Sequence, residues 1–556
     1  FYFYRPSGPS AEELFLSGET LQNERDLSGA LKNYLACLEK EPKHLRALCR
    51  VAEVLSWQGQ DEQALNYARQ ALELSRYESE ANYFYGIVAR KLGFLSDAKE
   101  TLGWAARSPA LALPAYLQLT EIALSEKDYI QAEEYARRAA NFDRQNPLPY
   151  ELLAASLRHQ GKKTEAKKIC REILQLDPLS LVARFELYLL SPSARKIEHF
   201  KSLVRNEFPA ETYLELALHY LKIGEPEASL ELLKLAPETP EILLWQAYLS
   251  RYYDFIFSNT FLKKAADFSP YLFFPFREES IPVFKWAMES SPDCWKFRYY
   301  LGLIYWHKGR FDEARQLFET LDTADYYPVF IARAYLNPED KVGAYQDLKK
   351  ALSLAPEEWR TWHHLISFEL SNNLYREALT RSLRALEIFP ENMYLQADTV
   401  KALIAIKEYR RAADLLDRIK VLPYEGASEV HSLFVRTHLH LALDFMQQKD
   451  WSEALKEIAL SREFPEHLGT GRPFDPDQRV QDYLEAICYE KIGEEEKARQ
   501  KYSEIINYTE KYPEGPYVYF YVLALKKLRP KAPAPVIKAN ESLVNEFLEK
   551  IKNIEK

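Results

Sequence analysis

The chain contains little glycine: 17 of its 556 residues, against 37 tyrosines, 29 phenylalanines and 9 tryptophans. Because glycine makes up about 7% of an average protein, glycine-rich phosphate loops and numerous tight β-turns are not expected here. A sequence this poor in turn residues predicts a mostly helical protein.

Cysteine pairs and long apolar runs are also lacking. The five cysteines show no Cys-x-x-Cys spacing: Cys37, Cys49, Cys170, Cys294 and Cys488. This scatter predicts buried structural thiols rather than a disulfide framework. The longest apolar stretch, residues 517–525, is shorter than the ~20 residues that span a bilayer. No transmembrane segment is therefore predicted.

Blocks of like charge are missing as well. The 73 basic and 82 acidic side chains are interspersed and give a net charge of −9. Nucleic acid is not an expected partner, since its phosphates require a basic face. The chain begins at Phe1 rather than Met, which indicates a fragment or a processed product and hides any targeting signal. We favour a cytoplasmic location, with a secreted or periplasmic one as the alternative.

What the sequence does contain is an internal repeat of 34 residues. A small residue is followed twelve positions later by Ala, seven later by a small or apolar residue, and about five later by Pro. The example from Pro147 to Pro178 has an apolar face at helical spacing, a glycine at Gly161, and a second apolar face through Ala166 and Cys170. It predicts a helical hairpin. The period and the pattern resemble the tetratricopeptide repeat.

Two helices cross closely only where their side chains are small. We number each repeat from the start of its first helix, so that Ala11 is position 1 of the first repeat. The small residue at position 8 is then expected to contact the alanine at position 20. Position 8 is occupied by Gly18, Ala52, Gly86, Ala154, Gly302, Ala332, Ala442 and Ala486. Position 20 is occupied by Ala30, Ala64, Ala98, Ala132, Ala166, Ala314, Ala344, Ala378, Ala412, Ala454 and Ala498. Six further glycines are expected to end first helices: Gly59, Gly93, Gly161, Gly224, Gly309 and Gly493.

The predicted fold is all-α, a right-handed superhelical solenoid of about fourteen helix hairpins with an irregular, aromatic-rich middle. Its expected segments are an N-terminal extension (1–10), an N-terminal array (11–180), an irregular helical segment with an aromatic insertion (181–292), a central array (293–463), a short loop (464–476) and a C-terminal array with a capping helix (477–556). The last helix, Lys538 to Lys552, is expected to close the stack with a polar face.

Three segments are more particular than the repeat: 11–22, 269–287 leading into 295–319, and 464–473. They resemble the C-terminal tetratricopeptide half of a bacterial family of uncharacterised proteins, in which a β-sandwich similar to galactose mutarotases precedes the repeats. The resemblance implies a carbohydrate-related domain ahead of the repeats in the full protein. It supplies no catalytic residues.

The aromatic insertion, residues 252–292, is the first candidate binding surface. Twelve aromatic residues surround Arg277 between Tyr252 and Trp286. These aromatic residues either fill an interruption between two halves of the solenoid or form a contact patch. The contact patch is a candidate because Tyr, Trp and Arg are enriched at binding hot spots. The second candidate is the loop with Gly-Thr-Gly-Arg at 469–472, which is either structural or an anion site. The predicted partner-binding residues are Phe276, Arg277, Glu279, Trp286, Trp295, Gly469, Gly471 and Arg472.

Motifs of catalysis are missing. The sequence has no P-loop, G-x-S-x-G, H-E-x-x-H or strand-linked G-x-G-x-x-G. His431 and His438 would share a helix face, but no third ligand accompanies them, so we interpret them as surface or groove histidines rather than metal ligands. We predict no catalytic residue, no metal and no cofactor.

The function predicted from these features is that of a non-enzymatic scaffold. It would bind a protein through the concave groove of its first helices, beside the carbohydrate-related domain that the resemblance implies. The alternative is a carbohydrate-binding or carbohydrate-processing protein whose glycan site the groove completes. A third hypothesis is that the array joins copies of the chain, whose oligomeric state the sequence leaves open.

Overall fold

The computed structural model describes residues 8–423, 428–529 and 544–555. Within these ranges all regular structure is helical, with 31 α-helices, two short 3-10 turns and no β-strand. The chain forms two compact units, Phe1–Ala324 (unit 1) and Asp325–Lys556 (unit 2). The all-α prediction is confirmed.

The helices of unit 1 are α1 (Ala11–Asn23), α2 (Leu27–Lys40), α3 (Leu45–Trp57), α4 (Asp61–Leu74), α5 (Ser79–Lys91), α6 (Leu95–Ala105), α7 (Ala112–Ser125), α8 (Tyr129–Phe142), α9 (Leu148–His159), α10 (Lys163–Leu176), α11 (Leu181–Leu189), α12 (Ala194–Lys201), α13 (Pro209–Lys222), α14 (Pro226–Leu235), α15 (Pro240–Ser250), α16 (Phe255–Asp267), α17 (Ile281–Ser290), α18 (Trp295–His307) and α19 (Phe311–Phe318).

Those of unit 2 are α20 (Tyr327–Leu336), α21 (Lys341–Leu354), α22 (Trp359–Ser371), α23 (Tyr375–Ile388), α24 (Met393–Ala405), α25 (Tyr409–Leu416), α26 (Glu429–Gln447), α27 (Trp451–Leu460), α28 (Arg479–Ile492), α29 (Glu495–Lys511), α30 (Tyr519–Leu528) and α31 (Asn545–Glu555).

Consecutive helices pack as pairs. Within residues 8–324, unit 1 has nine pairs, α1 with α2 through α15 with α16 and then α18 with α19. α17 packs on both α15 and α18. The described part of unit 2 has five, α20 with α21 through α28 with α29, and α30 packs on α28 and α29. The predicted solenoid of about fourteen hairpins is thus confirmed.

The irregular middle is made of helices too. Within the aromatic insertion, helical structure is missing at residues 252–254, at 268–277 before a 3-10 turn at Glu278–Ser280, and at 291–292. α16 forms within the insertion because Asp254 caps it, accepting from the Phe257 amide at 2.9 Å, and because Ser258, Leu262 and Ala265 give it a buried face at helical spacing.

Of the fourteen described pairs, eleven turn on a residue with left-handed backbone. The three that do not are α11 with α12, α15 with α16 and α20 with α21. The six glycines predicted to end first helices all have positive φ, the conformation that glycine adopts without strain. The same conformation occurs at five other turns with larger residues: Arg25, Lys127, Asn373, Lys407 and Lys449. Glycine therefore marks some hairpins, and the others turn without it.

The small residues of the repeat are buried as predicted, and a large side chain lies close beside two of the glycines. All the position-20 alanines are between 0% and 5% exposed. A Cβ atom built on Gly18 would lie 2.5 Å from Tyr34, and one on Gly302 would lie 2.7 Å from Phe318. Both large residues stand four positions after the position-20 alanine. The groove beside these two glycines therefore accepts the side chain one helical turn after position 20. The expected contact of position 8 with position 20 stays a prediction.

Gly86 offers a test of this packing. A Cβ there would lie 2.6 Å from the Cγ atom of Leu102, which is fully buried. We expect Gly86→Ala to destabilise unit 1 by about 1–2 kcal/mol in urea unfolding, since the overpacking exceeds the gain in helix propensity. Gly103→Ala is the matched control: it lies in exposed helix with no atom within 4 Å of its Cβ, and it should stabilise by up to about 1 kcal/mol. Equal effects would contradict the packing.

Candidate interaction surfaces

The charged residues predicted in the insertion are bound to α13. Arg277 Nε donates to Glu211 Oε2 at 3.1 Å, and its Nη2 lies 3.7 Å from Glu215. Glu279 pairs with Lys222 at 3.4 Å. Burial would raise the pKa of Glu279, but the backbone amide that it accepts from and the charge of Lys222 hold it below its ordinary value. These charges thus anchor the insertion to α13.

Phe276 and Trp295 lie beside other aromatic rings. The Phe276 ring meets the His307 ring edge-on at 5.9 Å and has the Arg277 guanidinium 5.1 Å from its centre. Trp295 begins α18, with its ring 6.1 Å from that of Tyr299. Phe276 therefore packs the insertion on α18, whereas the ring contact of Trp295 lies within α18 itself.

Trp286 belongs to a different surface. Its ring lies edge-on to Tyr248 at 5.7 Å. The guanidinium of Arg251 stands 3.4 Å from the centre of the Tyr248 ring and 4.3 Å from that of Tyr252. These side chains lie next to the turn that leads into α16. Three residues there, Tyr252, Tyr253 and Phe255, are 65% to 84% exposed. We call these six residues the aromatic corner: Tyr248, Arg251, Tyr252, Tyr253, Phe255 and Trp286.

The predicted loop of unit 2 has a fixed half and an exposed half. A 3-10 turn at Glu466–Leu468 precedes Gly469, whose φ is +69°. A Cβ on Gly469 would lie 2.9 Å from the carbonyl oxygen of Val421, and the Val421 amide donates to His467 O at 2.8 Å. Gly471 and Arg472, in contrast, are exposed. Glycine is needed at 469 because the backbone is left-handed and closely approached.

The end of the chain lies against the first helices of unit 2. The final helix was expected to cap the stack over residues 538–552, of which 538–543 fall outside the described residues. α31 instead begins at Asn545 and packs on α26. Glu546 accepts from Arg436 of α26 (Nε to Oε2, 2.7 Å), and Lys550 donates to Asp444 of the same helix at 2.6 Å.

The far end of α31 reaches two more first helices. Glu555 accepts from the Tyr483 hydroxyl of α28 at 3.0 Å and pairs with Lys527 of α30 at 3.1 Å. Four apolar side chains of α31 are buried in one hydrophobic cluster with α26, α28 and α30: Phe547, Leu548, Ile551 and Ile554. α31 buries this apolar face and leaves polar residues exposed, among them Glu549, Lys552 and Asn553. α26 and α28 are first helices, which form the binding face of a solenoid. The capping role expected of the last helix stays a prediction.

In unit 1 the first and last turns meet. Arg310 Nη1 donates to Gly59 O at 3.1 Å, and Lys91 Nζ donates to Glu278 Oε1 at 2.7 Å. A cavity of about 700 Å³ lies beside these contacts, with Trp57 and Trp306 among its walls. The size is that of a small-molecule cleft.

Sequence models support the repeat interpretation directly. Residues 44–76 and 276–328 each match a model of the tetratricopeptide repeat, and they cover α3 with α4 and α17 through α19. The chain therefore contains tetratricopeptide repeats. No curated protein matches it.

Solved tetratricopeptide structures resemble the chain distantly. Yeast Tom70 is 15% identical, over 91% of this chain and 99% of its own, with a TM-score of 0.24. A tetratricopeptide repeat protein from Parabacteroides merdae ATCC 43184 is also 15% identical, over 53% of this chain and 99% of its own, with a TM-score of 0.32. The resemblance to the family with a mutarotase-like domain, and the carbohydrate partner it implies, stay predictions.

The histidines singled out in these repeats are structural. His431 and His438 are buried rather than exposed. His431 Nε2 lies 2.9 Å from Glu463 O, and His438 Nδ1 lies 2.6 Å from a Glu457 carboxylate oxygen. Nowhere in the described residues do three or more His, Cys, Asp or Glu side chains come together in a group that could hold a metal ion. Among the same residues, no helix is long and apolar enough to cross a bilayer.

Two features of these surfaces were missed from the sequence. Tyr248 and Arg251 precede the insertion, so they were not among the predicted partner-binding residues. The contacts of α31 join residues about a hundred positions apart, such as Arg436 and Glu546. The signal available for α31 was its helical spacing of apolar residues, which predicts a buried face but does not name its partner.

Proposed function

We propose that the chain is a non-enzymatic tetratricopeptide scaffold that captures a protein partner through the aromatic corner of unit 1. The observation that carries this proposal is the exposure of Tyr252, Tyr253 and Phe255 in one turn. Folding leaves these large side chains in water, although burying each would stabilise a protein by about 1.5–3 kcal/mol. Contiguous exposed apolar surface of this kind marks interaction sites.

The chemistry of the corner suits a protein. Tyr, Trp and Arg dominate binding hot spots, and here Arg251 is already held between the rings of Tyr248 and Tyr252. A guanidinium fixed in this way loses little freedom on binding. Trp286 therefore remains a candidate contact residue. Arg277 is a weaker candidate because its ion pairs with α13 already occupy it.

The partner should depend on the corner and not on exposed apolar surface in general. A photo-crosslinking amino acid at Tyr253 should yield one dominant protein adduct in the native organism. The same amino acid at Ile130 of α8, which is 77% exposed, should not. Binding of the purified partner should then weaken by at least about tenfold in the variant Tyr252→Ser with Phe255→Ser, as expected when two hot-spot residues are removed.

Ile130→Ser is the matched control, since it removes one exposed apolar side chain elsewhere in unit 1. Surface changes of this type alter folding stability by about 0.5 kcal/mol or less, so circular dichroism and the melting temperature should not change in either variant. Equal adducts at both positions, or unchanged binding by the corner variant, would refute the proposed function.

A further inference from the structure

We propose that the groove formed by α26, α28 and α30 is a docking site for an amphipathic helix of a partner protein, and that α31 is its resident competitor. α31 shows which helix fits. Its sequence places a carboxylate first, two apolar residues next, a cation four positions after the carboxylate, and apolar residues again at one-turn intervals. A helix that lays such a face into a groove is a common mode of recognition.

Charged side chains fix the direction and register of the bound helix. Glu546 lies between Arg436 and His440, with Oε2 at 2.7 Å from Arg436 Nε and 3.4 Å from His440 Nε2. One turn later Lys550 meets Asp444 and also stands 4.8 Å from the centre of the Tyr409 ring. A helix bound in reverse would bring like charges together. The groove thus selects an acidic residue followed by a basic one.

The site extends beyond α31. A cavity of about 260 Å³ continues from Glu546 and Phe547 along the N-terminal halves of α26 and α28. Gln481 lines it, is 4% exposed, and its Oε1 atom has no hydrogen-bond partner among the described residues. A buried acceptor left without a donor is costly. A partner helix with a donor here makes a contact that the described part of α31 does not make.

These contacts favour a different protein over a second copy of the chain. A second copy that offered its own α31 would make only the contacts that α31 already makes within its own chain. Such an exchange would gain no contact and would cost association entropy. The resident helix is also covalently joined to α30 and competes at a high local concentration. A partner helix that fills the cavity gains contacts there, including one to Gln481, that the exchange of α31 between two copies would not provide.

A labelled peptide of residues 544–556 tests whether the groove accepts a helix in trans. In the full wild-type chain the apparent affinity of the peptide is reduced, because the peptide can bind only the fraction of molecules in which α31 has left the groove. Leu548→Asp puts a carboxylate at a position of α31 that is 2% exposed and should release the helix. Fluorescence anisotropy should then show binding at least about tenfold tighter than to the wild type.

Glu549→Ala, on the exposed face of α31, is the control and should bind the peptide like the wild type. A peptide carrying Leu548→Asp should bind neither chain. If circular dichroism shows that the Leu548→Asp chain is unfolded, Glu546→Lys replaces it, because it breaks the pair with Arg436 near the start of α31. Equal peptide affinity in the wild type and the releasing variant overturns the proposal. A wild-type dimer in sedimentation that Leu548→Asp abolishes would give the groove to a second copy and overturn it too.

Discussion

Replacing Arg158 with methionine should destabilise unit 1 by about 3–5 kcal/mol, the range for breaking a buried ion pair. Arg158 Nε and Nη2 donate to the two oxygens of Glu186 at 2.7 and 3.0 Å, and Nη2 also donates to Glu225 at 2.7 Å. The side chain of Glu186 is 1% exposed. Methionine fills a similar volume but leaves Glu186 without a counter-charge and leaves Glu225 with only its contact to His159 at 3.0 Å. Urea unfolding at pH 7 measures the loss.

Acid should reduce this loss. Burial alone would raise the pKa of Glu225, but the hydrogen bond from His159 and the charge of Arg158 lower it below its ordinary value. A carboxylate with a lowered pKa in the folded protein stabilises it above the ordinary pKa, and this contribution disappears as the pH falls through the folded value. The difference between wild type and variant should therefore be smaller at pH 4 than at pH 7.

The matched control is Arg138→Met, which removes an exposed arginine from its pair with Glu134. Exposed pairs of this kind contribute about 0.5 kcal/mol or less. Adding Glu186→Gln and Glu225→Gln to Arg158→Met should recover most of the stability, because no buried charge then lacks a partner. A loss no larger than that of the control would show that water, rather than Arg158, compensates the carboxylates.

The fold could be predicted because its rules are local. A helix pair repeats one crossing, and each crossing needs a small residue at a fixed spacing, so Gly86 and Ala98 could be identified without knowledge of the rest of the chain. The side chain closest to a Cβ atom on Gly86 is that of Leu102, one helical turn after Ala98. The spacing in the sequence identifies the positions that carry small residues. The direction of the side chains along the helix decides which neighbouring side chain fills the space beside each small residue.

The surfaces were less predictable because they depend on contacts between distant segments. Arg277 has the composition of a binding residue, yet Glu211 and Glu215 of α13 neutralise it. Arg251 gave no signal of its own and became part of a surface only when α17 placed Trp286 beside Tyr248. Which aromatic residues remain exposed is decided by the packing of α15, α16 and α17, which has no sequence period.

Glu241 should make unit 1 less stable as the pH rises. It is 1% exposed at the start of α15 and accepts a hydrogen bond from the Ser280 hydroxyl, which in turn accepts from Trp245 Nε1 at 2.9 Å. Burial raises the pKa of Glu241 from 4.5 to about 7. A carboxyl whose pKa is raised on folding contributes its stability in full below the ordinary value and loses it as the pH rises through the folded value.

Glu241→Gln should therefore stabilise the protein at pH 8 by roughly 3 kcal/mol, the free energy that corresponds to this rise in pKa. At pH 4.5 the effect should be close to zero, because glutamine resembles the protonated acid and can accept the same hydrogen bond from Ser280. Urea unfolding at intervals between pH 4.5 and pH 8 gives the difference directly. The gain should appear progressively between pH 5 and pH 7.

Glu227→Gln makes the same chemical change at an exposed position of α14 and should alter stability by less than about 0.5 kcal/mol at every pH. Burial also raises the pKa of Glu151 to about 7, so the single variant should keep part of the wild-type pH dependence, and adding Glu151→Gln should remove most of what is left. A constant difference between Glu241→Gln and the wild type across the pH range would mean that the amide changes packing rather than charge, and that Glu241 does not carry the pH dependence.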